Sequence, residues 1–178
     1  AAPRLIGAVL ESRAGGTLTR GRIVETEAYL AFGDGASHSA RGKTARNGAM
    51  FMESGRGYVY LIYGLHLCFN VVTGAPGEGE AVLVRALEPL GGVETMRTRR
   101  GGEVSDRNLA RGPGRLTRAM GITRDDDRKP VLDGGSLSLL DRAVGWGVPE
   151  LDVGPRVGIT KSAELPLRFR LRGSRWTS

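Results

Sequence analysis

The chain has 178 residues, enough for one domain with a real core, and carries 26 Lys and Arg against 19 Asp and Glu, a formal net charge of +7. That balance proposes a polyanionic partner without choosing nucleic acid over a membrane surface or plain solubility. Its single cysteine, Cys68, excludes an intramolecular disulfide and any cysteine-based zinc or iron–sulfur site, and no run approaches the roughly 20 apolar residues that span a bilayer. A soluble, intracellular, cytoplasmic protein is expected, with an abrupt start that reads as a trimmed natural N-terminus.

Residues 5 to 10 and 21 to 30 are apolar, β-rich runs joined by "ESRAGGTLTR", whose Gly15-Gly16 pair suits a hairpin turn, so the two runs are expected to pair. Residues 31 to 57 are rich in Gly, Ala, Ser and Arg and show little periodicity; a loop that long is usually functional. "YVYLIYG", "LCFNVVTG" and "GEGEAVLVRALEPL" read as three strands that form the middle of a sheet. "GVETMRTRR" has helical spacing and a basic end, which the helix dipole favours. In "RGPGRLTRAMGI", Pro113 fits the first turn of a helix that buries Leu116, Ala119 and Met120 and stops at Gly121. "TRDDDRKPVLDGGS" is a polar, turn-rich loop, and "LSLLD" and "LPLRFRLRG" are late strands. One domain over residues 1 to 178 is expected, and no nucleotide-binding glycine motif is present.

"RIVETEAYL" raises the first chemical question. Period-two alternation puts Ile23, Glu25, Glu27 and Tyr29 on one strand face, with the two carboxylates roughly 6 to 7 Å apart. Burial and mutual repulsion would suit one of them to general acid or base work near neutral pH, but in an arbitrary E-x-E strand such groups more often meet water or an arginine. Leu83 and Arg85 share a face of "VLVRA", and a buried Arg85 needs a carboxylate partner, for which Glu25 or Glu27 would serve. Tyr63, at a strand end before Gly64, suits a stacking platform or wedge, while Tyr58 and Tyr60 share the opposite face; core-edge tyrosines give the same pattern. His38 lies in the long loop, where a lone histidine is usually a surface residue.

Taken in order, "RIVETEAYL", "ASHSARGKTARNGAMFM", "GYVYLIYGLHLCFNVV", "AVLVRALEPLGGVETMR", "GPGRLTRAMGI" and "PRVGI…PLRFRLRG" strongly resemble the alkyladenine (3-methyladenine) DNA glycosylases, the mammalian-type family also found in bacteria. The resemblance covers almost the whole chain. It implies an α+β fold, a single mixed domain around a curved, mainly antiparallel sheet with short peripheral helices. It implies no metal or organic cofactor, double-stranded DNA containing damaged purines as partner, no membrane, a monomer, and a nucleoid-associated cytoplasmic pool.

The same resemblance implies roles for particular residues. Glu27 matches the general base that activates the attacking water, and Arg85 and the backbone carbonyl of Val157 match groups that help hold it. Tyr29, His38 and Tyr60 match the aromatic walls around a flipped base, and Asn70 matches the pocket-floor residue that disfavours the exocyclic amine of guanine. Tyr63 matches the side chain that enters the duplex through the minor groove. Thr44, Met50 and Arg100 are weaker matches to DNA-backbone or gap-flanking contacts, because the loop from His38 to Met50 is one residue shorter than the mammalian pattern. Nothing resembles the lysine nucleophile of a glycosylase/lyase, since Lys43, Lys129 and Lys161 lie in loop or turn contexts. The expected activity is monofunctional removal of alkylated or deaminated purines that leaves an abasic site. The competing readings are a catalytically silent lesion-binding protein and an RNA-binding or RNA-modifying domain.

Overall fold

The structure, a computed structural model, describes residues 1–178. Its spine is strand β2 (Thr19–Tyr29), an 11-residue run rich in β-branched residues. Strand β5 (Ala81–Gly91) runs antiparallel along one edge of β2. Along the other edge β2 changes partner: residues 19 to 22 pair with β1 (Val9–Ser12), and residues 25 to 27 pair with β8 (Arg168–Leu171). With β3 (Gly57–Ile62), β4 (His66–Val72), β6 (Leu137–Leu140) and β7 (Leu151–Gly154), the strands form one eight-stranded sheet in the order β3-β4-β5-β2-β1-β6, with β7 attached to β8. Every named pair is antiparallel, and the sheet curls into a half-barrel, as the α+β expectation required.

Strand alternation sorts the side chains onto two faces. Val59, Phe69, Val71, Val84, Ile23 and Leu87 belong to the larger apolar cluster, which is completed by Met96 of the helix over Val93–Arg100 and by Leu116, Ala119 and Met120 of the helix over Pro113–Met120. Tyr58, Tyr60, Cys68, Val72, Ala81 and Leu83 point the other way and, with Ala49 and Met50 from the long loop, form a second cluster. The pocket described below opens from that second face. In this chain α1 is Ala2–Leu5, α2 is Val93–Arg100, α3 is Asp106–Leu109 and α4 is Pro113–Met120. Helix α4 starts on Pro113 and stops at Gly121, whose φ of 69° forms the left-handed cap. No helix is long and apolar enough to cross a membrane.

Three differences from the sequence reading have plain causes. The first strand begins at Val9 and not at residue 5, because Pro3 sits in the first turn of the short helix α1 and Gly7, at φ 91°, turns the chain between them. The long loop contains a 3-10 turn over Gly48–Phe51. Tyr63 is in the three-residue turn between β3 and β4 and not at the end of a strand; it adopts φ 51°, followed by Gly64 at φ 70°.

Candidate active site

The pairing of β2 with β5 shifts register near its start, between Arg20 and Gly21, and again around Glu25, and the irregularity around Glu25 builds the site. Ile23 faces Leu87, Glu25 faces Ala86 and Thr26 faces Val84, which leaves one extra residue on each strand, Val24 on β2 and Arg85 on β5. Such bulges re-aim side chains and bend a sheet. Here they separate Ile23, which packs in the larger core with Val84 and Leu87, from Glu27, which meets Tyr29 and the second face. The single face expected to carry Ile23, Glu25, Glu27 and Tyr29 together is therefore corrected.

Glu25 and Glu27 are both completely buried. Burying a carboxylate without partners is prohibitive, and each has several. Arg85 lies between them, Nε 3.1 Å from Glu25 Oε1 and Nη1 3.3 Å from Glu27 Oε1. Arg168 contacts Glu25 at 2.6 Å, and the Ser178 hydroxyl donates to Glu25 Oε1 at 3.0 Å. The backbone N–H of Val157 donates to Glu27 Oε1 at 2.8 Å and the Tyr29 hydroxyl donates to Glu27 Oε2 at 3.0 Å. Two hydrogen-bond donors and the Arg85 guanidinium therefore converge on Glu27. An ionised carboxylate offers about four lone-pair sites, which leaves room for a further donor such as a water. Val157 reaches Glu27 through its N–H, a contact separate from the water-holding role that the resemblance implies for its carbonyl.

Beside Glu27 lies a small pocket of about 20 Å³ lined by Tyr29, His38, Met50, Tyr58, Tyr60 and Asn70. The His38 and Tyr60 rings meet edge to face with centroids 4.6 Å apart, and Tyr58 and Tyr60 are tilted at 5.2 Å. His38 and Tyr60 thus touch and form one wall, so a base cannot lie between those two rings. His38 Nδ1 is hydrogen-bonded to the Tyr58 hydroxyl at 2.8 Å. His38 remains more than a third exposed at its outer edge, but desolvation on the Tyr side and the nearby Arg46 charge hold its pKa below the usual value. Burial, reinforced by the Glu27 charge and hydrogen bond, pushes Tyr29 far above the ordinary phenol range. Asn70 is buried and its side-chain amide donates to the Tyr58 carbonyl at 3.0 Å, which fixes it on the pocket floor.

The structure separates the remaining sequence candidates. Tyr63 stands 82% exposed beside the exposed Leu61 and Leu65, with Arg46 and Arg124 nearby. Thr44 is a loop residue whose N–H and hydroxyl both donate to Asn47 Oδ1, at 2.6 and 3.0 Å. Arg100 is half-buried at the end of α2, donates to the Leu109 carbonyl at 3.0 Å, and has its pKa lowered by burial and by Arg115 and Arg118. Met50 is only 2% exposed and lines the pocket.

Three residues matter that the sequence reading did not single out. Buried Asn47 donates to the carbonyls of His38 and Gly42 at 2.8 and 3.0 Å, and so ties the loop that carries His38. Asp34 and Arg156 form a fully buried two-pronged pair at 2.6 and 2.7 Å. Arg156 immediately precedes Val157 and stacks on Tyr29, with its guanidinium carbon 4.6 Å from the ring centroid. Both members sit in loops 122 positions apart, where no periodicity marks them.

The curled antiparallel sheet thus carries an aromatic pocket beside a buried, arginine-bridged carboxylate pair. Comparison with known proteins makes this specific. The family model for methylpurine-DNA glycosylase matches residues 1–175. A protein of Methanoculleus marisnigri is 53% identical over 179 residues, covering 98% of this chain and 90% of its own length. One from Koribacter versatilis is 48% identical over 177 residues, covering 98% and 84%, and one from Encephalitozoon cuniculi is 47% identical over 181 residues, covering 99% and 86%. The first two carry 3-methyladenine DNA glycosylase in their names, and the third carries DNA-3-methyladenine glycosylase. The chain belongs to the methylpurine-DNA glycosylase family, and with it to the DNA glycosylases.

Proposed function

We propose that the protein is a monofunctional glycosylase of base excision repair, acting as a monomer through a single domain over residues 1 to 178. It takes a damaged purine, alkylated or deaminated, out of duplex DNA and hydrolyses its N-glycosidic bond. The observation that carries this reading is Glu27: completely buried, accepting hydrogen bonds from the Val157 N–H and the Tyr29 hydroxyl, ion-paired to Arg85, and still able to accept from a water beside an aromatic pocket.

A base inside a duplex is out of reach, so extrusion at a cost of a few kcal/mol precedes chemistry. Tyr63, held out on a tight turn, fills the gap. Tyr29 on one side and His38 with Tyr60 on the other receive the base, and opening the pocket around it is part of binding. Stacking and cation–π attraction favour cationic alkylpurines by about 1 to 2 kcal/mol when desolvated. Asn70 reads the edge of the base at the floor.

Departure of the purine builds positive charge on the sugar. Glu27 stabilises that charge and takes a proton from the attacking water, whose oxygen bonds to the anomeric carbon as the C–N bond breaks. Arg85 offsets the repulsion between Glu25 and Glu27 and helps to orient the water. The products are the free base and an abasic site on an uncut strand. Single-lesion duplexes treated with protein and then alkali test the reading: strand breaks only after alkali support it, and a covalent adduct trapped by borohydride contradicts the monofunctional chemistry.

A further inference from the structure

We propose that Arg156 is a specificity-determining residue: seated on the outer face of the Tyr29 ring, it biases the pocket away from cationic bases and toward neutral ones. This rests on the reading of Tyr29 as a stacking wall.

Arg156 is held in place from several sides. Its Nη1 and Nη2 pair with Asp34 Oδ2 and Oδ1 at 2.6 and 2.7 Å, and Nη1 also donates to the Ala28 carbonyl at 2.9 Å. Asp34 is itself fixed by the N–H groups of Leu30 and Ala36, each at 3.1 Å. Burial raises the Asp34 pKa, but these bonds outweigh it and keep the carboxyl below its ordinary value. Both side chains have no exposure, and Arg156 Nε is buried without a partner. A planar cation is therefore locked 4.6 Å from the Tyr29 centroid.

An aromatic ring has two faces, and Arg156 occupies one. Tyr29 lines the pocket and Arg156 does not, so a base stacks on the opposite face. A cation on one face of a ring weakens the attraction of its π system for a second cation on the other. The two charges would also lie within about 10 Å of each other in a desolvated site, where salt screens little. Asp34 pairs with the guanidinium nitrogens at 2.6 and 2.7 Å, while the guanidinium carbon stays 4.6 Å from the Tyr29 ring centroid. A neutral purine meets none of this opposition.

Single-turnover excision from duplexes carrying one 7-methylguanine (cationic) or one hypoxanthine (neutral) tests the proposal, with the ratio of the two rates as readout. Removing the pair in Asp34→Asn/Arg156→Gln, a double change that leaves no buried lone charge, is expected to raise the cationic-to-neutral ratio about fivefold. Asp34→Asn alone leaves the Arg156 charge unbalanced and is expected to move the ratio the opposite way, which keeps the proposal testable if the double variant does not fold. Equal loss on both lesions, or an unchanged ratio in whichever variant melts cooperatively, would mean that Arg156 only supports the fold and would overturn the inference. A Tyr29→Leu arm separates the underlying reading: rates near wild type on both lesions would sink the stacking wall itself, whatever Arg156 does.

Discussion

The backbone N–H of Val157 donates to Glu27 Oε1 at 2.8 Å, joining a strand residue to a loop 130 positions away. The contact uses the backbone, and Val157 is 46% exposed. Val157→Ala is therefore expected to change excision less than about twofold. Val157→Pro removes the N–H, and hydrogen bonds to charged groups contribute about 1.5 to 3 kcal/mol, so excision is expected to fall roughly 10- to 100-fold. Single-turnover rates check both, with thermal melting as the control for folding.

Arg85 bridges two buried carboxylates, so removing it should cost stability before anything else. Arg85→Met leaves Glu25 to Arg168 and Ser178 but leaves Glu27 without a cation, and breaking a buried pair typically costs about 3 to 5 kcal/mol. A large drop in the urea midpoint is expected. Glu25→Gln, which retains an acceptor for Arg85 and Arg168, should lower the midpoint less and reduce excision far less than Glu27→Gln. Equal losses of activity from the two glutamine variants would contradict the division of labour between the carboxylates.

Because the folded state holds the His38 pKa below that of the unfolded chain, the unfolded state binds more protons as pH drops below about 6.5. His38 thus contributes stability that is present above that pH and lost on acidification toward its lowered folded pKa. Urea midpoints at pH 7.5 and 5.5 are expected to differ more for the wild type than for His38→Gln. Matching pH dependence in the two proteins would remove His38 from the account.

Tyr63 is paired with exposed arginines, which predicts two separable effects on DNA binding. Tyr63→Ala should weaken lesion-duplex binding while leaving the dependence on salt unchanged, since it removes no charge. Arg46→Ala should reduce the slope of log affinity against log salt by about one if that residue neutralises a phosphate. Affinities measured from 50 to 200 mM salt distinguish the two.

The sheet was largely legible because β3, β4 and β5 are continuous apolar or aromatic runs, and α4 because Pro113, the inward-facing Leu116, Ala119 and Met120, and Gly121 agree on one helix. Strand β7 and helix α3 were missed: each is only four residues long, too short for either to show a period. Within the site, residue types and family resemblance pointed to Glu27, Tyr29, His38, Tyr60, Asn70 and Arg85, and the pocket or the carboxylate network includes all of them. Period-two reasoning failed at Ile23 because it assumes an unbroken ladder, and the extra residues Val24 and Arg85 occupy a bulge that nothing local announces. Asp34 and Arg156 were invisible for another reason. Each is an ordinary polar loop residue until the fold buries both and brings one against the other.

The most direct measurement is single-turnover excision by Glu27→Gln on a duplex with one alkylated purine, run beside a binding titration on the same DNA. General-base catalysis typically contributes about 10²- to 10⁴-fold, so excision is expected to fall by at least a hundredfold while affinity for the lesion duplex stays within a few fold of wild type. Excision by Glu27→Gln at near the wild-type rate would contradict the assignment of the chemistry to this carboxylate.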